Sequence, residues 1–234
     1  MQTAPIIDVI IPAYNEEVGI VQVLSAIPKG LVREVIVCNN ASTDKTAEVA
    51  AANGATVVLQ PIMGYGNACL KGMAYIAARP KAEQPDIVVF IDADYSDFPD
   101  EIPQLIQPII ENNMDLVIGS RALGSLEKGS MTFPQRFGNW LATTLIKLFY
   151  NYTFTDLGPF RAVRYSQLVA MRMEDKTFGW TVEMQVKAAK MKMNTTEIAV
   201  NYRCRTAGKS KVSGTIRGTI LAGYKILWTI FKLL

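Results

Sequence analysis

Histidine is absent from the 234 residues of this chain. That absence excludes a Ser-His-Asp triad, a histidine general base and a histidine metal ligand. Any metal must therefore rest on carboxylates or water. Cysteine is scarce and odd in number. Cys38, Cys69 and Cys204 are scattered, which argues against a disulfide framework or a zinc site and fits buried apolar roles in a reducing compartment. Acidic residues stop at Glu197. Beyond it lie seven basic residues, Arg203, Arg205, Lys209, Lys211, Arg217, Lys225 and Lys232, so the total of +3 leaves −4 on the remainder. A basic C-terminal segment suits an anionic partner such as phosphate, a membrane surface or nucleic acid. Its basic residues are mixed with long aliphatic runs and line no polar groove, which argues against nucleic acid. No repeat, low-complexity tract or linker interrupts the chain. Residues 1–5 lack a basic n-region leading into an apolar one, so no signal peptide is expected.

What is present is apolar and periodic. Half of the residues are hydrophobic, enough for one domain with a substantial core. Short apolar runs at 6–11, 34–38, 56–59, 87–91 and 116–118 read as strands. Amphipathic stretches at 17–27, 43–53, 66–78 and 101–112 read as helices between them. Strands alternating with helices of this length predict βαβ units and a mostly parallel central sheet with helices on both faces. Further helices are expected at 135–150, 166–171 and 181–191, with a strand at 197–202. The expected organisation is one domain. Residues 1–121 form a nucleotide-sugar half, 122–214 an acceptor half and 215–234 a closing amphipathic helix.

The chemistry concentrates where strands end. The run Ile87-Val88-Val89-Phe90-Ile91 leads into Asp92-Ala93-Asp94. Ligands of open α/β sheets bind at the C-terminal ends of the strands. Two carboxylates there suit a divalent cation such as Mg²⁺ or Mn²⁺, which takes oxygen ligands and bridges to substrate phosphates. An isolated Asp-x-Asp is more often a turn, but this one has companions. The first strand runs into Pro12-Ala13-Tyr14-Asn15-Glu16-Glu17, a polar turn able to hold a base or ribose, with Asn15 also a candidate helix cap. The second ends in Asn39-Asn40-Ala41-Ser42-Thr43-Asp44, where Ser42 reads as an N-cap and Asp44 as a first-turn carboxylate. The third ends in Gly64-Tyr65-Gly66-Asn67-Ala68, whose glycines permit close backbone approach. Ser96 or Asp97 reads as the cap of the following helix, with Pro99 in its first turn. Arg121 follows another apolar strand and could face a phosphate.

Taken in order, these motifs resemble the family-2 glycosyltransferases of the GT-A fold, a Rossmann-like α/β architecture. The likeness is greatest to the polyprenyl- or dolichyl-phosphate hexose synthases. Asp156-Leu157-Gly158-Pro159-Phe160-Arg161, Gly179-Trp180-Thr181-Val182-Glu183-Met184-Gln185 and Arg205-Thr206-Ala207-Gly208-Lys209-Ser210-Lys211 extend it over essentially the whole chain. The resemblance implies that Pro12, Tyr14, Glu16, Asp44 and Gly66 belong to the nucleotide site. It implies that Asp92 and Asp94 position the diphosphate through a metal, and that Asp156 and Arg161 line the sugar and acceptor site. Arg205, Ser210 and Lys211 would hold phosphate groups. Gln60 and Ile62 stand where mannosyl-type enzymes tend to have basic residues, which leaves a UDP-sugar as plausible a donor as GDP-mannose. The implied reaction is inverting hexosyl transfer from a nucleotide-sugar. A hydroxyl acceptor needs a base, for which Glu183 or Asp156 is the candidate. An anionic lipid phosphate needs little or none.

The last stretch bears on the acceptor. Ile216, Ile220, Tyr224, Leu227, Phe231 and Leu234 recur at helical spacing, widened by Leu221, Trp228 and Ile230, with Arg217, Lys225 and Lys232 on the opposite side. Three charges argue against spanning a bilayer. An interfacial helix is expected instead, and with it a protein peripheral to the cytoplasmic membrane face, using polyprenyl phosphate as acceptor. Two other functions are consistent with the sequence. One is the same fold acting on a soluble sugar or other hydroxyl. The other is a non-catalytic nucleotide- or membrane-binding protein.

Overall fold

The computed structural model describes residues 4–206 and 216–234. Seven strands form one sheet in the order β3-β2-β1-β4-β6-β5-β7. They are β1 (Ile7–Ala13), β2 (Glu34–Asn39), β3 (Thr56–Leu59), β4 (Ile87–Phe90), β5 (Leu116–Ser120), β6 (Arg161–Arg164) and β7 (Thr195–Ala199). β6 runs antiparallel to both β4 and β5; every other pairing is parallel. The helices are α1 (Gly19–Ala26), α2 (Thr46–Ala52), α3 (Tyr65–Ala77), α4 (Ile102–Glu111), α5 (Phe133–Tyr150), α6 (Tyr165–Met171), α7 (Trp180–Lys190) and α8 (Ile216–Lys232).

The apolar runs become strands because they are covered on both faces, and alternation sorts their side chains into two cores. Ile10, Ile36, Val88 and Phe90 pack with α3, α5 and α7, while Val9, Ile11, Val89 and Ile91 pack with α1 and α4. Phe90 meets Trp180 edge to face at 5.9 Å, the arrangement aromatic quadrupoles favour. The one charge inside β1, Asp8, is fully buried and paired with Arg33 (2.6 Å) and Arg79 (2.7 Å).

From β1 the chain builds β2 and β3 on one side, then crosses to β4 on the other. The sheet therefore has its topological switch point between β1 and β4, where open α/β sheets bind ligands. Two expected caps are corrected here. α1 starts at Gly19, four residues past Asn15. Asn15 instead adopts a left-handed turn (φ 52°), and its side chain accepts from the Thr43 amide at 2.7 Å. Ser42 does not cap α2; it accepts from the Asn15 amide at 3.0 Å. The loops after β1 and β2 are thus laced to each other. The expected strand at 197–202 begins earlier and ends sooner, at Thr195–Ala199.

Candidate active site

Three loops converge at the switch point. Each turns on a non-glycine residue in the left-handed region: Asn15 after β1, Ala41 after β2 (φ 58°) and Tyr95 after β4 (φ 60°). Such backbone persists where surrounding structure enforces it, as at binding sites. Below the loops lies a cleft of about 390 Å³ lined by Pro12, Tyr14, Glu16, Asn40, Asp92 and Asp94 among others. A second cavity of about 320 Å³ adjoins it, bounded by Arg121, Gln135, Asn139 and Tyr202 and by Ala222, Gly223 and Ile226 of α8. Tyr65, Asp92, Asp94, Phe178 and Arg205 line both. The two lobes meet on the paired carboxylates.

The charges at that junction are arranged, not merely near. Arg205 pairs with Asp94 at 2.6 Å and Glu16 at 3.2 Å. Asp94 also accepts from the Ser96 amide at 2.9 Å, which fixes its rotamer. Asp92 accepts from the Tyr65 hydroxyl at 3.0 Å. Burial, reinforced by the charge of Asp94, pushes the Asp92 carboxyl up to about 7. Two carboxylates this close resist joint ionisation unless a cation joins them. The described residues hold no cluster of three or more histidine, cysteine or acidic side chains fit for a metal ion. An ion on Asp92 and Asp94 would therefore complete its shell with ligand oxygens and water, as Mg²⁺-type sites on one or two carboxylates do.

Residues 8–172 match the family described as "Glycosyl transferase family 2". The chain is a family 2 glycosyltransferase. It is 36% identical over 218 residues to an uncharacterized glycosyltransferase of Mycobacterium tuberculosis, covering 92% of this chain and 94% of the relative. It is 29% identical over 223 residues to the undecaprenyl-phosphate mannosyltransferase of Micrococcus luteus, covering 89% and 88%. Among solved structures, glucosyl-3-phosphoglycerate synthase from Mycobacterium tuberculosis, in complex with Mn²⁺, UDP and phosphoglyceric acid, superposes with a TM-score of 0.76 at 22% identity. That match covers 98% of this chain and 78% of the other. The glycosyltransferase has the GT-A fold, with the C-terminal helix in place.

Several expected site residues of the glycosyltransferase are committed elsewhere. Asp156 is 1% exposed; its carboxylate takes both Arg121 Nε and Nη2 at 2.8 Å, and the Arg121 amide as well. Arg121 lines the second lobe but spends its fork on Asp156, which holds its pKa above the ordinary value against burial. Arg161 is fully buried and donates to the carbonyls of Leu157, Gly158 and Thr181. Burial without a paired carboxylate lowers it to about 10, still protonated at neutral pH. It organises the loop before β6 and borders neither lobe. Glu183 accepts from the amides of Glu174 and Asp175 and pairs with Lys187 at 2.7 Å. It therefore anchors the loop at 174–179. Asp44 accepts from the Thr46 amide at 3.0 Å and the Glu17 amide at 3.3 Å, and does not line the cleft.

Gly66 has a packing duty. A Cβ there would stand 1.9 Å from the Asp175 carbonyl, because the 174–179 loop docks on the start of α3 through Gly66 N to Thr177 O and Asn67 N to Lys176 O. Asp97 caps nothing. It is 1% exposed with both oxygens unpartnered among the described residues, and burial beside Asp92 drives its carboxyl well above the usual range. Ser210 and Lys211, expected to hold phosphate, lie outside the described residues, as does Lys209. Reading the sequence missed Tyr65 and Phe178. Tyr65 was hidden between glycines read only for backbone freedom, and Phe178 sits in a loop without a motif.

Proposed function

We propose that this glycosyltransferase moves a hexose, with inversion, from a UDP- or GDP-sugar to polyprenyl phosphate at the cytoplasmic membrane face. The nucleotide-sugar would occupy the lobe under Pro12, Tyr14, Glu16 and Asn40. Asp92 and Asp94 would hold Mg²⁺ or Mn²⁺ against its diphosphate. A divalent ion there supplies neutralisation of the charge that builds on the leaving group. Arg205, already between Glu16 and Asp94, would turn its guanidinium to the same oxygens, a charge-assisted contact that strengthens as the bond breaks. An acceptor phosphate oxygen attacks the anomeric carbon from the side opposite the diphosphate. The carbon–oxygen bond to the diphosphate breaks, and its electron pair leaves on the nucleotide.

One observation carries the choice of acceptor. Among the described residues, the only carboxylates lining the acceptor lobe are Asp92 and Asp94, while Asp156 and Glu183 are paired away from it. A site without a spare base suits an acceptor that is already anionic. The apolar bodies of Met131, Pro134, Leu157 and Ile226 suit a lipid stem. A soluble sugar acceptor is the second reading, favoured by the polar groups of Arg121, Gln135 and Asn139 in the same lobe.

Incubation with labelled UDP- and GDP-sugars, Mg²⁺ or Mn²⁺, and polyprenyl phosphate tests the reading. Label should pass into the organic phase with one donor class. No transfer from any donor, by protein that still binds UDP or GDP with metal, would overturn it. Transfer to a soluble sugar with no lipid present would favour the second reading.

A further inference from the structure

α5 carries an exposed aromatic stripe that the chemistry above does not use. Phe133 (80% exposed), Phe137 and Trp140 (59%) follow one another at helical spacing, and their rings contact at 6.4 and 5.7 Å. Leu148, two turns beyond Trp140 on the same side, is also exposed. α8 carries a parallel one, Ile220, Tyr224, Trp228 and Phe231, all about half exposed or more. The two helices meet where Phe149, on the flank of α5 toward α8, packs edge to face on Phe231 at 5.4 Å. Singly exposed apolar residues need no explanation; a contiguous band on two adjacent helices does.

Charge decides what covers it. No acidic residue occurs between Glu127 and Asp156, or after Glu197, whereas Arg136 and Lys147 lie on α5 and Lys232 on α8; the other lysine of α8, Lys225, is spent on Asp175 at 2.9 Å. No helix among the described residues is long and apolar enough to cross a membrane. We infer that α5 and α8 together form a docking face for an anionic lipid bilayer, with the α5 aromatics inserted at headgroup depth. Aromatic side chains prefer that depth, and basic neighbours add attraction to anionic lipid. The acceptor lobe opens between these same helices, lined by Pro134, Gln135 and Gly138 from α5 and Ala222, Gly223 and Ile226 from α8. A lipid phosphate could enter it without leaving the leaflet. This last point rests on the lipid-acceptor reading; the docking face does not.

Vesicle sedimentation separates the two. Full-length protein should bind vesicles of phosphatidylglycerol and phosphatidylcholine in equal parts, and bind pure phosphatidylcholine far more weakly. The triple variant Phe133→Ser, Phe137→Ser, Trp140→Ser should lose about tenfold or more in vesicle affinity, with unchanged circular dichroism. Its binding of UDP with Mn²⁺ should stay at the wild-type level. Wild-type affinity in that variant overturns the inference, as does equal binding to neutral vesicles. So does a stable dimer in solution that the same substitutions dissociate, since a second copy would then cover the face. No acceptor or donor enters the assay, so a wrong acceptor leaves its outcome unaffected.

Discussion

Asp92 and Asp94 stand one residue apart in different electrostatic states. Asp94 is compensated by Arg205 and by a backbone amide. Among the described residues Asp92 has the Tyr65 hydroxyl as its one hydrogen-bond partner, and burial beside Asp94 raises its carboxyl from 3.8 to about 7. The sign follows directly. The folded, metal-free protein keeps this proton where the unfolded chain has lost it. The group therefore contributes stability below 3.8 that disappears as pH rises through about 7. A cation must expel the same proton, so Mn²⁺ affinity should fall about tenfold per unit as pH drops below 7. Calorimetry in buffers of different ionisation enthalpy should count close to one proton released per ion at about pH 6. A pH-independent affinity across that range would remove Asp92 from the ligands. Asp156 makes a contrasting case. Asp156→Ala leaves Arg121 buried and uncompensated, which should cost about 3–5 kcal/mol in denaturant unfolding. Were Asp156 a base instead, kcat would collapse with little change in the unfolding midpoint.

At the level of elements, the wall of the donor cleft is a loop held by its neighbours. Residues 174–179 are pinned by Glu183 beneath, by the Asp175 turn onto Thr177 and Gly179, and by Lys225 of α8 at 2.9 Å from Asp175. Gly66 lets α3 start against that loop. Gly66→Ala should therefore raise the KM for the nucleotide-sugar severalfold by displacing Thr177 and Phe178, and should destabilise by about 1–3 kcal/mol. Steady-state kinetics with a thermal melt checks both; an unchanged KM would mean the loop gives way without moving the wall. Much of this arrangement was legible in the sequence. β2 and β3 start where the apolar runs start, and the paired carboxylates fall at the end of β4, because a strand buried on both faces leaves its composition in the chain. β6 was not legible. Arg161 and Arg164 bracket it, and nothing local announces that Arg161 will be buried by spending its donors on three carbonyls. The caps failed for a related reason: Ser42 accepts from the Asn15 amide across 27 residues, and the Asn15 side chain accepts from the Thr43 amide, a tertiary choice that local propensity does not contain.

For the whole molecule, the switch point of the sheet puts the two lobes side by side, and ligand and metal should stabilise it as one unit. UDP with Mn²⁺ at about a hundred times its Kd adds about 2.7 kcal/mol, or roughly 5–10 °C of Tm for a domain of this size. UDP with a chelator should add almost nothing, and an equal shift without metal would argue that the diphosphate is held by cationic side chains alone. The assembly of that unit has an order in time. Glu16, Asp92 and Asp94 are all made early, yet the guanidinium that joins Glu16 to Asp94 arrives 189 residues after the first and 111 after the last. While the chain is still being translated, Glu16 and Asp94 lack the cation that joins them, and Asp92 beside them holds its proton more firmly. Chains halted before residue 205 should thus be able to fold their nucleotide half and still be idle. The polypeptide acquires the complete set of charges around its paired carboxylates only once residue 205 has folded back onto Glu16 and Asp94.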